Sequence, residues 1–66
     1  MSIKDAILQH LVNGHKITPV QALQEYGTIR LGAHIHRLRR EGHNIRTNTI
    51  RTFSGKTYAE YEYSQQ

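Results

Sequence analysis

Apolar residues recur with helical spacing in three successive segments of the chain. The stripe of the first segment consists of Ile3, Ile7, Leu8 and Leu11. Positions i, i+4, i+5 and i+8 lie on one side of a helix, so this segment predicts a helix over residues 2–13. Ser2 can cap its start and Gly14 supplies the left-handed stop. His10 and His15 lie away from the stripe, and we expect both to be exposed.

The second segment predicts a helix over residues 18–26, and its start is the clearest local signal in the chain. Thr18 provides a cap, Pro19 occupies the first helical position, and Gln21 stands three residues after the cap. Gly27 ends the helix. The expected buried face consists of Ala22, Leu23 and Tyr26.

The third segment predicts a helix over residues 28–41, with Thr28 available as its cap and Gly42 closing it. Its apolar stripe consists of Leu31, Ile35 and Leu38. The helix surface beside and opposite that stripe holds Arg30, Ala33, His34, Arg37 and Arg40. The helix therefore combines a short apolar anchor with an arginine-rich outer surface, as a helix needs in order to enter the major groove while packed on its own domain.

Residues 44–63 change to strand chemistry. Beta-branched and aromatic residues stand on both sides of Ser54-Gly55, which predicts a hairpin. One face of the second strand, expected in the core, holds Ala59, Tyr61 and Tyr63. Ile45 and Ile50 have opposite parity in the first strand, so either a bulge separates them or only one is buried.

Two short helices joined through a single glycine, Gly27, make a helix-turn-helix, and a hairpin after the second of them makes it winged. The predicted fold class is therefore mainly α with a C-terminal β-hairpin, a winged helix-turn-helix of three helices plus the wing. The whole chain, residues 1–66, is expected to form this single domain.

The composition limits the kinds of stabilising site and the cellular location that we expect. The chain has 66 residues, a mean hydropathy of −0.68 and no cysteine, which excludes disulfides and thiolate metal sites. No apolar run approaches the length of a membrane span, and the first residues do not form a signal peptide. We therefore expect a cytoplasmic protein.

The positive charge is concentrated in one central segment. The formal net charge is +4, yet residues 30–56 hold seven cationic residues against one acidic residue, Glu41. Six of the seven are arginine, whose planar fork meets phosphate or a guanine edge with two hydrogen bonds. This distribution favours a polyanionic partner, although a solvated basic face would have the same composition.

Three runs of sequence, residues 17–23, 26–31 and 35–45, contain the pattern ITP…AL…YG…RL…I..LR..GH.I. This pattern resembles a family of small winged helix-turn-helix proteins that are common in bacteriophages and prophages. The resemblance extends weakly through residues 55–63 and implies a DNA-binding role, here as a transcriptional regulator. It also implies that the protein works in the cytoplasm of a bacterial host, associated with the nucleoid. Gly32 departs from the alanine expected at its position and softens the helix slightly.

The predicted contacts with double-stranded DNA fall into three groups. The third helix directs Arg30, His34, Arg37 and Arg40 toward base edges and phosphates. The hairpin places Arg51 and Lys56, together with Arg46, on flanking phosphates or the minor groove. The second helix, entered at Thr18, presents backbone amides to a phosphate.

Other interpretations of these residues are weaker or stay open. Arg39 lies near the core edge and is expected to cover the apolar seam or pair with an acid. His34 and His36 are spaced i, i+2, which does not place them on one helix face, so we predict no metal site and no cofactor. The absence of a nucleophile motif or paired buried carboxylates predicts that the protein is not an enzyme.

The identity of the partner is less constrained than its charge. A single domain makes few specific contacts, so we predict self-association, as a homodimer, on DNA. The same basic face could instead bind an acidic surface of a host protein. A third alternative is an architectural factor that bends DNA, as an excisionase does.

Overall fold

The computed structural model describes residues 2–64 and contains three helices followed by a two-stranded antiparallel hairpin. The elements are α1 (Ile3–Val12), α2 (Pro19–Tyr26), α3 (Leu31–Arg40), β1 (Ile45–Arg51) and β2 (Thr57–Tyr63). The predicted fold class is therefore confirmed. Across residues 2–64, every helix is too short or too polar to cross a lipid bilayer.

The core forms where the three helices meet the base of the hairpin. Its buried side chains are Ile7, Leu11, Ile17, Ala22, Leu31, Ile35, Leu38 and Ile45. Leu8, Tyr26, Tyr61 and Tyr63 pack against them. Ile3 and Leu23, expected inside, are instead exposed. Ile3 opens α1 ahead of the core, and Leu23 is turned about 100° from the buried Ala22 on the short α2.

The turn between α2 and α3 differs from the predicted single-glycine joint. Gly27 ends α2 with a left-handed φ of +68°, but the turn continues through Arg30 and α3 begins at Leu31. Thr28 does not cap α3. It is buried, and its hydroxyl accepts a hydrogen bond from the Arg30 backbone N–H at 3.0 Å. The threonine side chain therefore closes the turn, which moves the helix start three residues beyond the predicted one.

The hairpin pairs in continuous register from Ile45↔Tyr63 to Arg51↔Thr57. This register contains no bulge, so Ile45 and Ile50 lie on opposite faces of the hairpin. Of the two, only Ile45 is buried. The sequence did not indicate that Ile17 pairs with Tyr61 on the free edge of β2, through backbone bonds of 3.0 and 2.8 Å. This pairing joins the hairpin to the residue that precedes α2.

His10 is not a free surface residue, contrary to expectation. The Lys16 carbonyl can only accept, so His10 Nε2 donates to it at 3.0 Å, and in that tautomer Nδ1 accepts from the Tyr26 hydroxyl at 2.8 Å. Burial, assisted by the charge of Glu25, raises the pKa of Tyr26, which keeps on the hydroxyl the proton that it donates. His10 therefore connects α1 to α2.

Candidate nucleic-acid interface

The exposed side of α3 carries a cluster of cationic and imidazole side chains. We call Arg30, His34, Arg37 and Arg40 the α3 basic face. All four line one concave surface, which Ala33, His36 and Glu41 complete. Burial of Leu31, Ile35 and Leu38 fixes the rotation of α3 and so directs this surface away from the core.

The three arginines of the α3 basic face have no partner among residues 2–64. Across residues 2–64, no guanidinium group of Arg30, Arg37 or Arg40 makes a hydrogen bond or an ion pair. Because arginine stays charged in proteins and carries five N–H donors, this surface has unused capacity to bind an anion with bidentate geometry.

Glu41 is an acidic residue beside these arginines, and α1 neutralises it. The Lys4 ammonium donates to the Glu41 carboxylate, in an ion pair that joins the start of α1 to the end of α3. The Lys4 side chain is 21% exposed and that of Glu41 43%. The pair therefore reduces the negative potential at one end of the concave surface without occupying an arginine.

Arg39 has a different role from its neighbours on α3. Its Nε and Nη2 groups donate to the Ile45 carbonyl at 3.0 and 2.8 Å, and Nη2 also donates to the Thr47 hydroxyl at 2.8 Å. The guanidinium lies 5.9 Å from the centre of the Tyr61 ring. Arg39 thus joins α3 to the hairpin, as its position at the core edge suggested, through a carbonyl rather than the expected acid or apolar seam alone.

Of the two histidines of α3, His36 is the more exposed, although the sequence had indicated His34 as the DNA contact. His34 is half-buried at the edge of the concave surface, whereas His36 is exposed and lines the same surface beside Arg40. The signal was present in the sequence. At about 100° per residue, His36 falls beside Arg40 on the side of α3 away from the apolar stripe. His36 is therefore an additional candidate for contact with a ligand.

The hairpin has two faces of different character. Its inner face, which packs on the core and on Arg39, contains Ile45, Thr47, Thr49, Arg51, Thr57, Ala59, Tyr61 and Tyr63. Its outer face contains Arg46, Asn48, Ile50, Tyr58, Glu60 and Glu62. The inner face holds no acidic residue, whereas the outer face holds two, so only the inner face matches the charge of α3.

Arg46 lies on the outer face, apart from the other predicted contacts. Its guanidinium lies 3.4 Å from the Glu62 carboxylate, to which Asn48 also donates at 3.2 Å. The bond from Asn48, followed by the charges of Lys16 and Arg46, lowers the pKa of Glu62. The charge of Arg46 is thus partly neutralised. Arg46 and Arg51 lie on opposite faces of the hairpin.

Arg51 and Lys56 flank the hairpin loop, residues 52–56. Arg51 ends β1 on the inner face, six residue steps along the strand from the buried Ile45, a reach of about 20 Å. Neither Arg51 nor Lys56 forms an ion pair in the part of the chain described. The hairpin therefore projects two free cations beyond the core, and one of them, Arg51, is on the side of the sheet that faces α3.

Thr18 uses its hydrogen-bonding groups in the predicted capping box. Its hydroxyl accepts from the Gln21 N–H at 3.2 Å, and its own N–H donates to the Gln21 side chain at 3.0 Å. Since Pro19 has no N–H, the start of α2 has few free amides. Thr18 also shares a groove with Glu60, whose charge opposes phosphate. The structure therefore separates Thr18 from the α3 basic face.

Comparison with known proteins adds one finding. A family model described as a winged helix-turn-helix domain matches residues 2–64. Neither a curated protein nor a solved structure matches the chain. The match spans α1 to the end of β2 and therefore includes both the α3 basic face and the hairpin.

Proposed function

Because the chain belongs to the winged helix-turn-helix domain family, we propose that it binds double-stranded DNA through the α3 basic face and the inner side of the hairpin. In such domains the second helix of the helix-turn-helix enters the major groove and the hairpin contacts the neighbouring backbone. Here α3 is that helix, and it is 10 residues long, enough to cross the groove.

The observation that carries this proposal is the contrast between free and occupied arginines. Arg39 and Arg46 have partners inside the protein, whereas Arg30, Arg37 and Arg40 share a surface and have none among residues 2–64. A solvated basic face would not require Arg39 to donate into the hairpin, or Glu41, which lines the same surface, to be bound by Lys4. This division supports a surface kept open for an external anion.

Arg37 and Arg40 are the proposed readers of base edges. They stand three residues apart on α3, so their side chains project from successive turns of one face. Bidentate contact from arginine to guanine is the commonest specific contact in the major groove. His36, exposed beside Arg40, is the proposed third contact, while His34 contributes from the edge.

Arg30 is the proposed phosphate contact at the start of α3. It occupies the N-cap position, no side chain caps the helix there, and the first turn holds no acidic residue. A cation at this end of a helix opposes the helix dipole, so the position does not serve the helix itself. A phosphate beside Arg30 would be bound by the guanidinium and by the unpaired amides of the first turn together.

Arg51 and Lys56 are the proposed contacts of the hairpin with flanking phosphates or the minor groove. Hydroxyl groups of Thr49 and Thr57, exposed on the inner face with Arg51, add donors without adding charge. Arg46 and Thr18 are left out of this interface because each already has a partner and lies near an acid.

Regulation of transcription, by binding a defined operator, is the role that we propose for this DNA binding. A handful of base contacts at about 1–3 kcal/mol each gives limited discrimination for one domain. We therefore also propose that two copies bind one operator as a homodimer. The resemblance to phage and prophage proteins supports such a regulator in a bacterial or phage setting, where the DNA lies in the cytoplasm.

Selection from random duplexes, followed by titration at several salt concentrations, tests the proposal. We expect one enriched sequence and a Kd that worsens steeply with salt, with a log–log slope of about −4 if about five phosphates are neutralised. A protein that enriches no sequence and binds duplexes with no salt dependence would contradict the proposal. Recovery of a single host protein in a pull-down would then identify the alternative partner.

A further inference from the structure

The hairpin loop presents an aromatic ring that the fold does not use. Phe53 is the only phenylalanine of the chain, and it is exposed to 110% of its reference area. Among residues 2–64, it belongs neither to the core cluster nor to any aromatic pair. Isolated apolar residues are common on surfaces, but a large ring at the very tip of a projecting arm is costly unless it is covered by a partner.

The loop keeps its shape without Phe53. The Thr52 N–H donates to the Lys56 carbonyl at 2.6 Å, and the Thr52 hydroxyl accepts from the Lys56 N–H at 3.1 Å. Gly55 supplies the positive φ of +90° and donates to the Thr52 carbonyl at 3.0 Å. Because these backbone and threonine bonds close the loop, the turn itself imposes no requirement for an aromatic side chain next to Thr52.

The charges beside Phe53 indicate a polyanion as the partner. Arg51 precedes it by two residues, Lys56 follows it by three, and the chain has no acidic residue from position 42 to position 59. An apolar tip between two cations is suited to a surface in which stacked apolar groups lie between rows of phosphates. A DNA duplex has this arrangement at each base step, with the bases inside and a phosphate backbone on either side.

We propose that Phe53 is a wedge that inserts between two base pairs and bends the duplex. This inference rests on the DNA binding proposed above. Apolar side chains that enter the minor groove partly unstack one base step and kink the helix axis toward the major groove. Arg51 and Lys56 bind the phosphates on either side of the opened step, which holds the ring in place. Phe53 thereby favours flexible pyrimidine–purine steps at its position, adding specificity without hydrogen bonds to bases.

Fluorescence energy transfer between dyes at the two ends of a selected duplex tests the wedge. The wild-type protein is expected to shorten the end-to-end distance by a bend of about 20–90°. Phe53→Ala is expected to reduce that bend by more than half and to weaken binding by roughly 3- to 30-fold, because the energy of the opened step is no longer offset. Phe53→Leu, which keeps an apolar wedge, is expected to retain most of the bend.

Val12→Ala is the matched control, since Val12 is an exposed apolar residue at the end of α1, outside the hairpin. It is expected to leave both the bend and the Kd unchanged. Melting temperatures of all variants should coincide with that of the wild type, because neither side chain is buried.

The outcomes separate this inference from the proposed function. Wild-type binding with no bend, or an equal bend with Phe53→Ala, overturns the wedge and leaves DNA binding in place. Absence of wild-type binding to any duplex overturns both. Binding of the wild type to vesicles containing phosphatidylserine, lost in Phe53→Ala while DNA bending is unchanged, would overturn the wedge and assign the ring to a membrane surface.

Discussion

The α3 basic face and the outer face of the hairpin both expose arginine, yet they differ in what surrounds it. On α3, Arg37 and Arg40 have no partner among residues 2–64, and the neighbouring Glu41 is bound by Lys4. On the outer face of the hairpin, Arg46 approaches Glu62, which Asn48 also contacts. The first surface has an excess of unused hydrogen-bond donors. On the second, the charge of arginine is offset by neighbouring carboxylates.

This difference shows that the number of cations in a segment does not locate a binding surface. Four arginines precede Gly42 and two follow it, and among residues 2–64 each group contains a guanidinium with a partner and at least one without. Arg39 makes the point most clearly, because it stands between Arg37 and Arg40 in the sequence and yet binds the hairpin. Substitution of arginines tests whether guanidinium groups with and without a partner in the fold have different functions.

The largest effect is expected from removing the two free arginines of α3 together. Arg37→Ala with Arg40→Ala should weaken binding to the selected duplex by at least about 100-fold, since each bidentate contact is worth about 1–3 kcal/mol. The unfolding free energy should not fall, because neither guanidinium has a partner in the described part of the chain, residues 2–64. Fluorescence anisotropy measures the affinity and urea titration the stability. Loss of less than 3-fold in affinity would remove α3 from the interface.

Replacement of Arg39 should have the opposite profile. Arg39→Ala breaks the bonds to the Ile45 carbonyl and the Thr47 hydroxyl, so we expect a loss of about 1–3 kcal/mol in unfolding free energy. Arg39→Lys should recover only part of it, because lysine lacks the planar fork. Arg40→Ala is the neighbouring control. Unchanged stability of Arg39→Ala in urea titration, with affinity lost, would show that Arg39 contacts DNA directly.

Arg30 gives a smaller effect of mixed sign. Arg30→Gln should weaken DNA binding by roughly 3- to 10-fold while the unfolding free energy stays equal or rises, by up to about 1 kcal/mol, because a cation leaves the positive end of α3. It should also make the salt dependence shallower by about one unit of log–log slope. A fall in stability, measured by thermal unfolding, would mean that Arg30 supports the fold instead.

The smallest effects are expected on the outer face. Arg46→Gln should change the affinity for DNA by less than about 2-fold, since an exposed ion pair contributes little. The lowered pKa of Glu62 means that its ionised form stabilises the fold. Its contribution is present above the ordinary glutamate pKa and is lost as the pH falls through the lowered folded-state value. Glu62→Gln should therefore flatten the acid limb of a stability-versus-pH curve, and an unchanged acid limb would exclude this role.

The sequence alone was sufficient for the fold because its signals were local. Thr18 with Gln21 forms the capping box, Gly27 takes the left-handed turn, and Leu31, Ile35 and Leu38 are buried as their spacing predicted. The start of α3 was wrong because Thr28 has two ways to use its hydroxyl. Burial of that residue in the turn, which depends on tertiary packing, decided between them.

The candidate surface was only partly predictable for a similar reason. Composition identified the cationic segment, but the pairing of Arg46 with Glu62 depends on strand register, and that of Arg39 with Ile45 depends on how the hairpin returns to α3. Neither is encoded by spacing within one element. His36 could have been found from helical geometry, whereas the position of Phe53 beyond the last strand pair required the register of the hairpin.

The central claim is that DNA occupies the exposed face of α3 and the inner side of the hairpin, and chemical-shift mapping by NMR tests it most directly. On titration with the selected duplex, we expect the largest shifts in the side-chain Nε–H signals of Arg30, Arg37, Arg40 and Arg51. The signals of Arg39 and Arg46 should move little. Shifts concentrated at Arg46 and along α2, with the arginines of the α3 basic face unchanged, would contradict the account.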